Sequence, residues 1–201
     1  MVRKTKEEAE LTLRHILDAA RRVFLECGVA RTTLERVAAA AGVTRGAAYW
    51  HFRNKTDLFF AMREQAILPF VDRVVFDEAE ADPLQGIERA LREIIHIMED
   101  QPETRETIEI LSFKCEYVEE FSGLRLRTEG QLEFLAGLTA AYQRAAAKGL
   151  LRAGLDPAIV AQDTFVFVGG LIKHWLSSEP DECFRAGASD LIRTHVALRR
   201  A

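Results

Sequence analysis

The residues best suited to chemistry lie in one short run, Thr44-Arg45-Gly46-Ala47-Ala48-Tyr49-Trp50-His51. A guanidinium carries a planar fork of donors that matches the O6 and N7 acceptors of guanine in a major groove, a pairing worth about 1–3 kcal/mol of discrimination against another base. Arg45 can supply that fork. Gly46 and Ala47 are small enough to bring backbone close to a groove floor, and Ala47 can touch a thymine methyl. Tyr49 and His51 can donate to phosphate oxygens, as can Thr33 further up the chain. Lys55 would add its charge to the backbone N–H groups of a helix start, where an anion is favoured. Trp50 reads equally as a groove contact or as core, whereas Phe52 is assigned to the core. Taken singly, Arg45 and Lys55 are ordinary surface charges, and Tyr49 is ordinary packing. Their joint placement is what points to duplex DNA.

Placing those groups on one surface requires short helices at fixed spacing. Thr32-x-x-Glu35 has capping-box spacing and predicts a helix over 34–41. Its inner face is Val37, Ala38 and Ala41, small residues that let a second helix come close. Gly42 suits a tight turn, because it adopts a left-handed conformation without steric cost. Thr44 is a good N-cap for a second helix over 44–51. Asn54 caps the next helix, with Asp57 three residues on. Two short helices joined by a glycine turn make a helix-turn-helix pattern.

The rest of the chain is predicted to be helical as well, so the fold class is all-α. Apolar residues recur with a 3.6 period, as in Leu13, Ile16, Leu17, Ala20, Val23 and Phe24, a stripe closed by Gly28. Phe184, Ala188, Leu191, Ile192 and His195 form another. Asp82-Pro83 and Asp156-Pro157 each place a capping acceptor before a proline at the first helical position. Pro102 and Pro180 mark breaks between helices, and Gly149 and Gly154 bracket a turn. Pro69 falls inside a helix predicted over 56–80 and should kink it. No tether interrupts the chain, so a domain boundary is expected at a helix start near Lys55.

Charge is divided along the chain. The net charge is −4, yet residues 1–63 hold 12 Lys/Arg against 7 Asp/Glu, while residues 64–201 hold 15 against 24. A basic head on an acidic body suits a DNA-contacting domain attached to something else. Cys27, Cys115 and Cys183 show neither a CxxC nor a metal-ligand spacing, and their odd number fits no closed disulfide framework. Reduced thiols in the cytoplasm are expected. No apolar stretch is long enough to span a bilayer, so no membrane partner is expected. His15, His96, His174 and His195 are scattered, and no phosphate loop or nucleophile–base pair stands at diagnostic spacing. The sequence therefore implies no enzyme, no metal and no cofactor.

The residues Gly28, Val29, Thr33, Val37, Ala38, Ala41, Gly42, Val43, Gly46, Tyr49, His51, Phe52, Lys55 and Leu58 together resemble the DNA-binding domain of the TetR family of repressors. The stretches 2–9 and 43–52 resemble its AcrR/TtgR-like branch, regulators of multidrug efflux pumps. So do Glu109-Ile110-Leu111, Lys114-Cys115-Glu116-Tyr117, Gly170-Leu171-Ile172 and Trp175-Leu176. The resemblance implies about nine helices, with residues 1–55 a three-helix DNA-binding head and residues 56–201 a ligand-binding and dimerisation body. It implies a repressor released from a palindromic operator by a hydrophobic or aromatic inducer. An activator, or a regulator of a metabolic operon, would use the same DNA chemistry.

By the same resemblance a ligand cavity would be walled by Ile67, Phe70, Leu91, Ile94, Ile108, Leu111, Ser112, Leu132, Leu135, Phe165, Val168 and Ile172. Taken singly, each of these reads more readily as plain core than as a pocket wall. Ser112, with Lys173 or Gln131, would supply the few polar anchors. The stretch from Ile159 to Leu176 is apolar almost all round, and a helix without a polar face must be covered on every side. A second subunit is the expected cover, with Phe167, Leu171, Trp175, Leu191 and His195 in the seam of a homodimer. A two-fold dimer would set two reading helices about one DNA turn apart, roughly 34 Å.

Overall fold

The computed structural model describes residues 6–115, 129–180 and 182–201, with backbone alone for 68–72 and 129. Helices α1 (Lys6–Cys27), α2 (Leu34–Ala40), α3 (Arg45–His51) and α4 (Lys55–Arg73) come first. Helix α5 (Pro83–Asp100) and α6 (Pro102–Glu109) follow, and α6 runs into a π-helical turn over Ile110–Lys114. Then come α7 (Glu129–Ala147), α8 (Pro157–Ser177) and α9 (Cys183–Ala197). Among the described residues the β pairing consists of an isolated bridge between Leu151 and Arg200, so the fold is all-α. The chain forms two compact units. One is Met1–Leu68 with Glu103–Leu126, and the other is Pro69–Pro102 with Arg127–Ala201.

The first unit is built on the α1 stripe. Ile16, Leu17, Ala20, Val23 and Phe24 are buried together with Val29, Leu34, Val37, Ala38, Ala48, Phe52, Leu58, Phe59 and Met62. Phe24 and Phe59 meet edge-on at 5.7 Å. Burying each such ring stabilises the fold by about 1.5–3 kcal/mol. Ile110 joins this core, and Leu111 and Cys115 pack against it. The Val29 N–H donates to the Lys114 carbonyl at 2.9 Å, fastening the π-helical turn to the residues that end α1. Compactness and the expected division at Lys55 thus follow different lines, because Leu58, Phe59, Met62 and Ile110 all fill the head core.

Several local expectations shift. Thr33, not Thr32, caps α2, its hydroxyl accepting from the Arg36 N–H at 3.2 Å. Thr32 is buried and donates to the Gly28 carbonyl at 2.8 Å. Helix α4 runs through Pro69 but stops at Arg73 rather than at residue 80. Beyond it the Asp77 carboxylate accepts the Ala79 N–H at 2.9 Å, a local bond that competes with helix continuation. Pro102 opens α6, and residues 108–114 form the end of α6 and the π-helical turn. Residues 116 and 117 and the stretch 2–5 lie outside the described residues.

In the second unit α5 packs on α7 and α9, and α8 packs on α7 and α9. Asp82 caps α5 by accepting from the Leu84 and Gln85 N–H groups at 3.0 and 3.2 Å. Asp156 caps α8 in the same way, at 2.8 and 3.1 Å. Leu84, Ile87, Leu91, Leu138, Tyr142, Leu171, Trp175, Ile192 and Val196 are buried. A polar chain crosses this apolar interior. The Tyr142 and Thr164 hydroxyls lie 2.8 Å apart, and Thr164 Oγ1 lies 3.0 Å from His195 Nε2. The C-terminus is tied down by Arg200 pairing with Asp82 at 2.7 Å and by the Ala201 N–H bonding the Leu150 carbonyl at 3.0 Å. Among the described residues no helix is long and apolar enough to cross a membrane.

Candidate nucleic-acid interface

The turn between α2 and α3 closes as a Schellman motif. The Gly42 N–H bonds the Ala39 carbonyl at 3.1 Å and the Val43 N–H bonds the Ala38 carbonyl at 3.0 Å. Gly42 sits at φ +67°, where any side chain is strained. Thr44 then caps α3, its hydroxyl oxygen accepting from the Ala47 N–H at 3.2 Å. Such a cap is worth about 1 kcal/mol. Asn54 does the same for α4, accepting from the Asp57 N–H at 2.8 Å.

Within α3 only Ala48 is buried, and Phe52 follows it into the core. The helix is therefore held by one small residue and the aromatic beyond its end. Arg45, Gly46, Tyr49 and Trp50 face solvent, while Ala47 and His51 are half-buried. The Arg45 side chain is 71% exposed. Trp50 is 74% exposed, which settles the choice left open in the sequence: it is not core. Its ring meets His51 edge-on at 4.6 Å. Thr33 is exposed at the start of α2, and Lys55 is half-buried with its Nζ donating to the Ala30 carbonyl at 3.0 Å.

One residue of this surface was missed as anything but a cap. Glu35 Oε1 accepts the Tyr49 hydroxyl at 2.8 Å and forms an ion pair with the Arg45 guanidinium at 3.2 Å. The same guanidinium lies over the Tyr49 ring, 5.1 Å from its centroid. The Glu35 carboxyl is held below the usual range, first by its own backbone N–H, then by the Tyr49 phenol, with a smaller pull from Arg45. No spacing within a single helix reveals this cluster, because it joins α2 to α3. Arg36 and Arg53 are further exposed cations of the head.

The residues expected to wall a ligand cavity fall in both units. Ile67, Ile108, Leu111 and Ser112 belong to the first. Of these, Leu111 is half-buried and packs against the head core. In the second unit Leu91, Ile94 and Val168 are buried, Leu135, Phe165 and Ile172 are half-buried, and Leu132 is exposed rather than enclosed. The Phe70 side chain lies outside the described residues. Phe165 is 6.3 Å from Phe134, which is 5.4 Å from Phe76. Those two partners were not anticipated from sequence.

The expected seam also changes. Leu171 and Trp175 point into their own unit, Trp175 being 2% exposed with the Arg185 guanidinium 4.1 Å above its ring. Neither is available to a partner. Phe167 stacks on His195 at 3.8 Å, both half-buried, and Leu191 is exposed. The outer face of α8 carries Ile159, Val166, Gly169 and Gly170, all exposed.

Comparison with known proteins agrees with this geometry. Residues 16–62 match the family described as bacterial regulatory proteins, tetR family, and residues 82–198 match the MAATS-type transcriptional repressor, C-terminal region. The chain is 37% identical over 211 aligned residues to the HTH-type transcriptional regulator TtgR of Pseudomonas putida, spanning all of both chains. It is similar to the crystal structure of NalD, the secondary repressor of the MexAB-OprM multidrug efflux pump in Pseudomonas aeruginosa. That match has a TM-score of 0.82 and 31% identity, over 97% of this chain and 98% of that one. The complex of SmeT with triclosan is similar too, SmeT being the repressor of the Stenotrophomonas maltophilia efflux pump SmeDEF. There the TM-score is 0.79 and the identity 29%, over 95% of this chain and 92% of that one.

Proposed function

The chain belongs to the TetR family of bacterial regulatory proteins, and on that premise we propose that it represses a multidrug efflux operon. It acts in the cytoplasm as a homodimer on a palindromic operator and releases the DNA when a hydrophobic or aromatic small molecule binds. One observation carries the DNA-binding part. The first turn of α3, capped by Thr44, turns Arg45 and Gly46 outward beside Tyr49 and a Trp50 that is almost free of the core. Beside an exposed guanidinium and phenol, that ring offers a stacking face to a sugar or base. Arg45 is the base reader, Trp50 packs on sugar and base, and Thr33, Tyr49, His51 and Lys55 position the phosphates.

The homodimer draws support from α8. Val166 is 69% exposed, and Gly169 and Gly170 leave the helix surface low enough for a second helix to approach. With Ile159 and Leu191, they make an exposed apolar face that a second copy of the chain would cover. That SmeT is solved with triclosan supports a hydrophobic or aromatic inducer. The half-buried rings Phe134 and Phe165 supply an apolar wall of fitting chemistry. Helix α4 contributes residues to both units, so a ligand that displaces its second half alters its first. A coupling of about 1–3 kcal/mol between ligand and DNA suffices for release.

The test is to select duplexes from a random library with purified protein, then challenge the complex with hydrophobic drugs and phenolics. A two-fold symmetric motif and ligand-dependent release are expected. Recovery of no common motif at low ionic strength would reject the reading.

A further inference from the structure

We propose that Glu35 tunes DNA affinity by acting as a built-in counter-ion that masks Arg45 and Tyr49 until guanine displaces it. The inference rests on the operator-binding reading above and adds to it the residue that decides when the reader is free to read.

In the free protein the Glu35 carboxylate holds the Arg45 guanidinium at 3.2 Å and the Tyr49 phenol at 2.8 Å, and the guanidinium leans on the phenol ring. The carboxylate itself is fixed in the first turn of α2, directly after the Thr33 cap. All three side chains stand on the surface that α3 exposes. The pair Glu35–Arg45 therefore presents that surface with no net charge, and the Tyr49 O–H already has an acceptor. Non-specific attraction to phosphates, which rises with each cation free to neutralise one, is correspondingly reduced.

For Arg45 to read a base it must exchange Glu35 for the new acceptor. Guanine presents two acceptors, O6 and N7, to the guanidinium fork. It replaces the lost bond and adds another. Adenine sets a donor beside its N7, cytosine presents a donor, and thymine offers a single O4 flanked by a methyl group. At those bases the exchange loses, and at every base it leaves a bare carboxylate beside the phosphates. An ion pair as exposed as this one is weak, so the mask opens readily where guanine is present and stays closed elsewhere. Opening it is a cost that the operator complex bears, so the carboxylate holds affinity down even at the right site.

The experiment uses the full chain with Glu35→Gln, Glu35→Ala, Arg45→Ala and the Arg45→Ala/Glu35→Gln pair. Binding to the selected operator and to a random duplex of equal length is followed by fluorescence anisotropy across a salt series. Circular dichroism melts verify that each variant is folded. Glu35→Gln is expected to tighten random-duplex binding about five-fold near physiological salt and to steepen its log–log salt slope by about 0.9, the value for one added phosphate contact. Operator affinity rises by at least as much, because the operator complex bears the full cost of the exchange, and Glu35→Ala behaves likewise. In the Arg45→Ala background the gain from Glu35→Gln largely vanishes. An equal gain in that background means simple repulsion of phosphates by the carboxylate and overturns the mask. Unchanged random-duplex binding, or a loss confined to the operator, overturns it too. Wild-type protein that prefers no duplex sinks the operator reading itself, a different outcome from either.

Discussion

Lys55 Nζ donates to the carbonyl oxygen of Ala30 at 3.0 Å, joining the start of α4 to the turn that follows α1. An ammonium has three donors, so this lysine can brace the head and meet a phosphate at once. Lys55→Ala should weaken operator and random duplex by the same factor and make the salt slope shallower by about 0.9. Lys55→Arg should restore most of the slope. A loss confined to the operator would assign Lys55 to base reading instead.

Arg45→Ala should cost about 1–3 kcal/mol of discrimination at one base pair of each half-site. Affinity for the selected operator, compared with duplexes permuted at every position, locates that pair. Equal losses on operator and random DNA would contradict the assignment of Arg45 as a reader.

Gly42→Ala isolates a backbone effect. Nothing lies within 4 Å of a Cβ built at Gly42, so the substitution meets no clash, but the residue holds φ +67°. The expected cost is about 1–2 kcal/mol of head stability, read from the melting curve. Gly42→Asn should cost less, since asparagine tolerates this region better.

His195 sets a pH dependence. Burial, reinforced by the charge of Arg199 and opposed by Asp163, brings its pKa down from the ordinary 6.5 to about 4. The unfolded chain therefore binds a proton more readily than the folded one over that interval. The contribution is fully present above pH 6.5 and is lost as pH falls toward 4. Denaturation midpoints measured across that window should drop for wild type and drop less for His195→Gln. Parallel curves would show that His195 is not the group responsible.

Val166→Asp and Trp175→Ala separate a seam from a core. Val166 is exposed on α8 and Trp175 is enclosed. Val166→Asp should yield a folded monomer by sedimentation, with operator affinity greatly reduced. Trp175→Ala should instead lower stability by about 3–5 kcal/mol, as emptying a large buried site does. A Val166→Asp protein that remains dimeric would place the seam elsewhere.

What could be read directly from the chain was local. The caps at Thr44, Asn54, Asp82 and Asp156 and the turn at Gly42 all appear where spacing put them. Each depends on a few adjacent residues whose backbone groups lack partners. The neighbouring residues Thr32 and Thr33 show the limit of that reading. Either hydroxyl could cap α2, and the choice fell to Thr33 because Thr32 turned inward to the Gly28 carbonyl.

The sequence by itself determined the helical class, the helix-turn-helix and the outward Arg45, since periodicity and capping act over a few residues along one chain direction. Only the tertiary structure decided that Glu35 holds Arg45, that Trp50 stands in solvent while Trp175 is enclosed, and that Ile110 completes the head core. Those outcomes depend on which helix faces meet. That choice is made by burial of apolar surface between segments far apart in sequence, and an apolar stripe does not name the stripe it will cover.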